Sequence, residues 1–479
     1  MAQSIRKMLK KSFLDFFNSR VAAHVLVPSV ALAASRPASL RFAVPIRSRR
    51  ILVRATLGLF LAMSTAAAAE DYSFDPSQFE KKPFELSGYI EARAEHFVLD
   101  RQSAGYQLNF FDQPSRTDFS RATAAAQIDG IYRRGIASFR FVGFGAYSSD
   151  YTGNDRDTRI YEAYASLAPS DHAVADLGKK MLSWGKGYAF NPVGFVQRPK
   201  DPNDPDLARE GFVIAGGNFV RSFDGTLKTL AFTPLIAPVS NAMNEDFGAS
   251  GHLNPAAKLY LLYADTDIDF MMLGAGSRSA RYGFDFSRNL GTNIEIHGEW
   301  ARITDAARPV TDAAGNIAPV ESAATSYLLG LRYLSERDLT TILEYYYNGA
   351  GYREQELSTF YDLAHRAYDQ FQTTGNAALL QRLRNAMQPA YAAPNPGRRY
   401  LYLRLSQKEP FDILYVTPAL TVVTNLDDRS YSVAPELLYT GVTNLELRLR
   451  LFLLHGDPLS DFGEKQNDRR LELRVRYFF

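Results

Sequence analysis

The sequence predicts an all-β fold: a transmembrane antiparallel β-barrel of about 18 strands (16–18). From Leu86 to the C-terminus, segments of roughly 9–14 residues alternate apolar and polar positions and are separated by Gly, Asn, Asp, Ser and Pro. This part of the chain has no run of 18 apolar residues, which argues against membrane-spanning helices. Its connections alternate between short and long, as they do in single-chain bacterial barrels. We predict long loops near 99–118, 184–211, 234–255, 303–322, 349–397 and 456–467.

The N-terminal segment predicts secretion. A basic stretch ending at Arg54 precedes the apolar residues 55–63, and the small residues 64–69 follow. This order is typical of a signal peptide, with cleavage expected after Ala69. Because 1–50 is long and basic for a signal peptide, we hypothesise that translation starts near Val53, which N-terminal sequencing of the precursor tests.

We therefore expect three parts in the chain. Residues 1–69 are a signal and targeting segment, 70–85 a short periplasmic lead, and 86–479 the barrel.

Composition excludes several classes of site and partner. The formal net charge is +2, but residues 1–69 hold 11 basic groups against Asp15, so the remaining chain carries 43 basic and 51 acidic groups, a net of −8. The sequence shows no face rich in Lys and Arg with interleaved aromatic residues, so we expect no nucleic-acid partner. The absence of cysteine excludes disulfides, thiolate metal sites and a cysteine nucleophile.

The last segment shows the alternation most clearly. Its apolar residues share one face and its charged residues the other, as expected for a lipid face and a lumen face. The apolar set is Leu471, Leu473, Val475, Tyr477 and Phe479, and the charged set is Arg470, Glu472, Arg474 and Arg476.

The terminal segment 471–479, with apolar residues at every second position and a final Phe479, resembles the last strand of Gram-negative outer-membrane barrels. The resemblance implies insertion into the outer membrane, among its lipids and lipopolysaccharide. It also implies recognition of this strand by the barrel-assembly machinery. The oligomeric state is left open.

A long loop near 184–211 contains candidate constriction residues. It opens with Trp184-Gly185 and resembles a loop of porin-like and alginate-export-like barrels. Its prolines stiffen it and its aromatics can anchor it, so it could fold inward; the alternative is an outer loop packed on its neighbours. The candidates are Trp184, Lys186, Tyr188, Asn191, Lys200, Arg209 and Glu210.

Residues 353–389 break the strand pattern, with apolar residues spaced by three and four. We predict a helical insertion in one long extracellular loop. It could form a lid, a plug, a structure on the rim or a surface for another protein.

No catalytic motif occurs, so we expect no enzymatic activity, cofactor or resident metal. His297 lies between Glu295 and Glu299 at a spacing of two, which turns all three toward the lumen. They could bind a cation or relay protons, but a hydrated wall is the more ordinary interpretation.

Arginine dominates the predicted lumen face. Guanidinium groups stay charged and bind carboxylate or phosphate with two hydrogen bonds, so such residues favour anions in pores. The alternative is that they pair with Glu91, Glu95, Glu446 and Glu472 and brace the wall. The candidates are Arg140, Arg332, Arg404, Arg448, Arg450, Arg470, Arg474 and Arg476.

We therefore predict a passive outer-membrane pore for a small hydrophilic solute, with an anion favoured. One alternative is an exporter of an acidic polysaccharide. Another is a partner-docking barrel without an open channel.

Overall fold

The computed structural model describes residues 82–203 and 210–479, and within them 18 strands form one closed antiparallel sheet. The predicted signal segment 1–69 lies outside the described residues. The predicted barrel is confirmed. In chain order the strands are β1 (Phe84–Leu99), β2 (Asp118–Arg134), β3 (Ala137–Asp150), β4 (Gly153–Ser170), β5 (Ala173–Lys180), β6 (Phe212–Ser222), β7 (Leu227–Val239), β8 (His252–Tyr263), β9 (Thr266–Leu273), β10 (Arg281–Asn289), β11 (Ile294–Thr311), β12 (Ile317–Leu334), β13 (Leu339–Tyr347), β14 (Arg399–Gln407), β15 (Val416–Asn425), β16 (Tyr431–Val442), β17 (Leu445–His455) and β18 (Asn467–Phe478).

Each strand pairs with its neighbours in sequence, and β1 pairs with both β2 and β18 to close the ring. The seam aligns Glu91 with Arg476 and Arg93 with Arg474. Closure leaves no strand edge unpaired, which membrane-spanning β-structure requires because lipid offers no hydrogen bonds.

The barrel is apolar outside and polar inside. On β18, Leu471 and Leu473 are 46% and 43% exposed on the outer face, whereas Glu472 and Arg474 are 2% and 3% exposed on the inner face. The same inversion recurs on β9, where Phe270 is half exposed and Asp269 is buried. An apolar outer surface around a charged interior is typical of a barrel surrounded by lipid.

The two ends of the barrel differ. Connections at one end, the turn end, are short; those at the other, the loop end, include the segments 100–117, 181–211, 348–398 and 456–466. The predicted long loop at 303–322 is wrong. There β11 and β12 continue as a paired hairpin. Its turn is stabilised by hydrogen bonds from Asn316 N to the Asp312 carboxylate and from Gly315 N to the Asp312 carbonyl oxygen.

Among the described residues, three α-helices lie at the loop end: α1 (Ala104–Phe110), α2 (Glu354–Thr374) and α3 (Ala378–Ala386). The predicted helical insertion is confirmed, whereas α1 was not predicted. The Glu356 side chain accepts a 2.8 Å hydrogen bond from Arg353 N, and α2 ends at Gly375, whose φ of 70° only glycine adopts easily. None of the helices in the described ranges is long and apolar enough to cross a membrane.

Helices α2 and α3, with the π-helical turn Met387–Tyr391, form what we call the lid. It has its own hydrophobic core, which also takes in residues of α1. Buried members include Leu108, Leu357, Phe360, Tyr361, Ala364, Ala367, Leu380, Leu383 and Tyr391.

Candidate pore wall and inward loop

Arginines concentrate on the inner faces of β1 and β14–β18, which we call the arginine wall. Three lie side by side in one row, because Arg448 is the cross-strand partner of Arg474, and Arg474 is the partner of Arg93. Side chains in such positions have Cβ atoms roughly 4.5–5.5 Å apart. The row toward the turn end is Glu446, Arg476 and Glu91, and the row toward the loop end is Arg450, Glu472 and Glu95.

Carboxylates in the neighbouring rows pair with these arginines. Arg474 lies 2.9 Å from Glu472, and Arg448 lies 3.2 Å from Glu446. Arg470 lies 3.5 Å from Glu95. The acids separate like charges that would otherwise repel one another across the strands.

A second centre surrounds Glu436 of β16. Its carboxylate lies 3.3 Å from Arg404 and 3.9 Å from Arg448, and it accepts a 2.6 Å hydrogen bond from Arg450 Nε. One acid therefore faces three arginines, and this part of the wall keeps an excess of positive charge.

The other two predicted arginines lie apart from the arginine wall. Arg140 of β3 lies 2.7 Å from Asp129 and 2.9 Å from Glu162. Arg332 of β12 lies 3.8 Å from Glu295 and is the most exposed of the eight, at 44% of its side chain. The structure thus places six of the eight candidates together.

Residues 181–203, which we call the inward loop, turn back into the barrel. Trp184 is 2% exposed and packs with Val193 and Phe195 among inward side chains of β6–β11. Phe190 stacks on Tyr346 of β13, with ring centroids 4.6 Å apart, and lies in the same cluster as Tyr402 of β14. The loop contacts the lumen side of the strands, which corresponds to the inward-folded one of the two alternatives that the sequence left open.

Two buried carboxylates of the wall hold the backbone of the inward loop. Glu299 accepts hydrogen bonds from Gly187 N at 2.6 Å and Val193 N at 3.3 Å. Glu344 accepts bonds from the backbone N–H groups of Tyr188 and Ala189, the latter at 2.9 Å. Charge-assisted bonds of this kind are stronger than neutral ones, so they fix the loop against β11 and β13.

We call Glu299 and Glu344 the clamp, and His297 supports it. Its Nε2 lies 3.0 Å from Glu344, its Nδ1 lies 3.6 Å from Glu295, and its ring is 1% exposed. Tyr188 lies edge-on to the imidazole and donates a 3.1 Å hydrogen bond to Glu295. Among the residues the structure describes, these groups do not form a cluster with metal-binding geometry.

The polar candidates of the inward loop face different partners. Lys186 lies 2.9 Å from Asp269 and 4.0 Å from Asp285, two buried acids of β9 and β10. Burial alone would lower the pKa of Lys186, but the hydrogen bond and the charge of Asp269 raise it, so the ammonium stays charged.

Lys200 donates to Gly187 O and ties the loop to itself. Asn191 accepts a 3.4 Å hydrogen bond from Lys200 N. Glu210 pairs with Lys179, and it lies 3.5 Å from Arg198. Arg209 lies outside the described residues.

The inner surface therefore has two unlike sides. Acids on β9–β13 face the inward loop and are occupied by its N–H groups and by Lys186. On the adjoining strands β14–β18 and β1, the arginine wall pairs mostly within itself. Sequence reasoning missed Glu299 and Glu344 as clamp residues, since they act on a loop more than 100 residues away.

No protein-family model and no curated protein sequence matches this chain. Solved structures with a similar fold include Acinetobacter baumannii OccAB1, with 12% identity, coverage of 82% of this chain and 96% of that one, and a TM-score of 0.48. Pseudomonas aeruginosa OccK2 (OpdF) in complex with glucuronate has 14% identity, coverage of 83% and 98%, and a TM-score of 0.46. A mutant of Rh. blastica porin has 10% identity, coverage of 83% and 100%, and a TM-score of 0.39. At these identities the likeness is one of fold.

Proposed function

We propose that this chain is a pore of the Gram-negative outer membrane that passes a small hydrophilic anion by diffusion. The observation that carries the proposal is the arginine wall. Its central rows hold seven arginines against five glutamates. The arginines are Arg93, Arg404, Arg448, Arg450, Arg470, Arg474 and Arg476, and the glutamates are Glu91, Glu95, Glu436, Glu446 and Glu472.

The internal pairing does not neutralise the wall. Arg93 and Arg470 keep 27% and 29% of their side chains exposed, so solvent in the lumen reaches them. A guanidinium in a water-filled barrel attracts anions and offers paired N–H donors to carboxylate or phosphate.

The acidic side on β9–β13 supports the same proposal. Its acids would repel an anion, but the inward loop covers Glu299 and Glu344, and Lys186 lies against Asp269 and Asp285. The loop thus screens the acidic side while Arg93 and Arg470 of the arginine wall stay partly exposed.

Planar-bilayer recordings across a salt gradient test this proposal. We expect single-channel steps and a reversal potential of the sign for anion preference. Arg404→Gln and Arg470→Gln should each reduce that preference. Arg399→Gln is the matched control, because Arg399 lies on the outward side of β14 and pairs with Asp427. Absence of steps, or cation preference in the unmodified protein, contradicts the proposal.

A second candidate, a docking barrel without an open channel, is favoured by the helices at the loop end. Deleting residues 353–389 separates the two. A larger conductance after deletion supports a pore covered by a lid. An unchanged zero conductance together with loss of a bound partner supports docking. The exporter of an acidic polysaccharide stays a prediction.

A further inference from the structure

Helices α1 and α2 form a layer that crosses the mouth of the barrel. Near its N-terminus, α2 meets the β11–β12 hairpin, where Arg308 donates hydrogen bonds of 2.7 and 3.0 Å to Glu356. Farther along, Phe371 of α2 lies edge-on to Phe111, which follows α1 in the β1–β2 loop. Around the ring, six strands separate these two attachment points on one side and eight on the other. The attachments thus lie on nearly opposite sides of the mouth.

His365 lies where three loops meet. It belongs to α2, and its Nδ1 is 2.9 Å from Gln107 Oε1 of α1. Its Nε2 is 3.0 Å from Glu464 Oε1 in the β17–β18 loop. Glu464 also accepts hydrogen bonds from Ala104 N at 2.5 Å and Leu459 N at 2.7 Å. One contact point therefore joins the lid to both neighbouring loops.

Both ring nitrogens of His365 face oxygen acceptors. The Gln107 side chain is oriented by its own Nε2, which donates a 3.2 Å hydrogen bond to Gln102 O, so its oxygen points to the imidazole. A neutral imidazole has one N–H and can serve only one of two acceptors. The imidazolium has two and satisfies both Gln107 and Glu464.

We propose that His365 is a pH-sensitive latch: its imidazolium ties the lid across the mouth to both Gln107 and Glu464, and its deprotonation weakens this tie. Loss of the proton removes one of the two hydrogen bonds and the charge that attracts Glu464. The latch controls access to the mouth of the barrel, whichever solute passes through it.

The charged groups around His365 favour its protonated form. Glu464 is in direct contact, and Asp362 and Asp369 act from α2 itself. The nearest bases have partners of their own: Arg366 pairs with Asp362 at 2.8 Å, and Lys465 with Asp461 at 3.1 Å.

One further ion pair completes the surroundings. From α1 the group in contact is the uncharged Gln107, and Asp112 beyond it pairs with Arg384 of α3 at 2.9 Å. Each of these three bases, Arg366, Lys465 and Arg384, thus has an acidic partner.

The direction of the pH effect follows. The hydrogen bond to Glu464 raises the pKa of His365 above its ordinary 6.5, although burial acts against it. Burial would raise the pKa of Glu464, but His365 and the N–H groups of Ala104 and Leu459 lower it. The latch is therefore complete below pH 6.5 and is lost as the pH rises through the raised pKa of His365.

Thiol labelling tests the latch without any measurement of transport. The chain has no cysteine, so single cysteines report on chosen positions. Ala367→Cys places a thiol in the lid core, where Ala367 is 2% exposed, and Thr373→Cys places one on the exposed side of α2. The ratio of their maleimide reaction rates cancels the ordinary pH dependence of thiolate chemistry.

We expect the ratio of the Ala367→Cys rate to the Thr373→Cys rate to rise between about pH 6 and about pH 9, by about tenfold for each unit of raised pKa. Adding His365→Gln should abolish the rise, since glutamine does not titrate. His365→Arg, which stays charged, should also give a ratio independent of pH. It provides the second variant if His365→Gln folds poorly.

His252→Gln is the matched control. It alters an exposed histidine at the same end of the barrel and should leave the rise intact. The proposal is overturned if the ratio does not change with pH in the chain that keeps His365. It is also overturned if both His365 variants show the same rise as that chain. Either result leaves the anion-pore proposal standing, because the labelling does not depend on conduction.

Discussion

Arg476 of the last strand donates two hydrogen bonds, at 3.0 and 2.7 Å, to the same carboxylate oxygen of Glu91 on the first strand. Glu91 also lies 3.8 Å from Arg93 and 3.9 Å from Arg474. One buried acid thus faces three arginines at the seam where the barrel closes.

Replacing that acid should weaken closure. Glu91→Ala leaves its three arginines without this counter-charge, and loss of one partner of a buried ion pair costs about 3 kcal/mol. We expect unfolding at lower urea concentration, followed by the change in gel mobility between folded and unfolded barrel. Glu85 lies on the same strand as Glu91 and forms an exposed ion pair with Arg133. Glu85→Ala should therefore change the midpoint of urea unfolding little. Equal effects of the two substitutions would argue against a special role for the seam.

Freeing the inward loop should widen the lumen. Glu344→Ala removes the acceptor for Tyr188 N and Ala189 N, whose backbone groups then lack a partner in a buried site. We expect protease cleavage within residues 181–203 and a larger single-channel conductance. Glu321→Ala, at an exposed site on β12, is the control. A loop that stays protected in Glu344→Ala contradicts the assigned clamp.

Gly185 should be intolerant of a side chain. Its φ is 99°, and a Cβ atom there would lie 2.6 Å from Glu299 Oε1. Gly185→Ala is therefore strained and pushes against the carboxylate that holds Gly187 and Val193. We predict that Gly185→Ala exposes the loop to protease, and that Glu299→Ala, which removes the acceptor for Gly187 N and Val193 N, does the same. Gly225→Ala, where no heavy atom lies within 4 Å of the added carbon, serves for comparison. Normal protection in Gly185→Ala would show that the loop adjusts.

Acid should loosen the other end of the lid. Burial would raise the pKa of Glu356, but the hydrogen bonds from Arg308 and from Arg353 N lower it below its ordinary 4.5. The contribution of this pair is present above pH 4.5 and is lost as the pH falls through the lowered value. Pepsin should then cleave within Glu354–Thr374 more readily as the pH falls.

Glu356→Gln should make that cleavage less dependent on pH. Asp362→Asn, which alters the exposed pair with Arg366, should not. A pH response in Glu356→Gln identical to that of the unmodified protein excludes Glu356 as its source.

The sequence predicts the barrel well because its alternation is local. Because side chains alternate between the two faces of a strand, Arg474 faces the lumen and Leu473 faces outward, whatever the exact end of the strand. The same regularity placed six of the eight predicted arginines on the inner faces of β14, β17 and β18. The predicted loop at 303–322 was wrong because Pro309 and Pro319, which suggest a break, pair opposite each other in an extended hairpin.

The clamp and the latch could not be predicted in this way. In the sequence Glu344 is an ordinary acidic residue of a strand. Its role depends on the hydrogen bond from Ala189 N, 155 residues away in the chain. His365 lies in a helix that the spacing of apolar residues predicts, but its role depends on Glu464, 99 residues along the chain. Such contacts arise only when the loops converge over the barrel.

The reversal potential across a salt gradient tests the central claim most directly. We predict that the purified protein in a planar bilayer gives a reversal potential of the sign for anion preference. We also predict that Arg404→Gln and Arg470→Gln together move it toward zero while Arg399→Gln does not. A reversal potential of the opposite sign, or one that the double substitution leaves unchanged, would contradict the account.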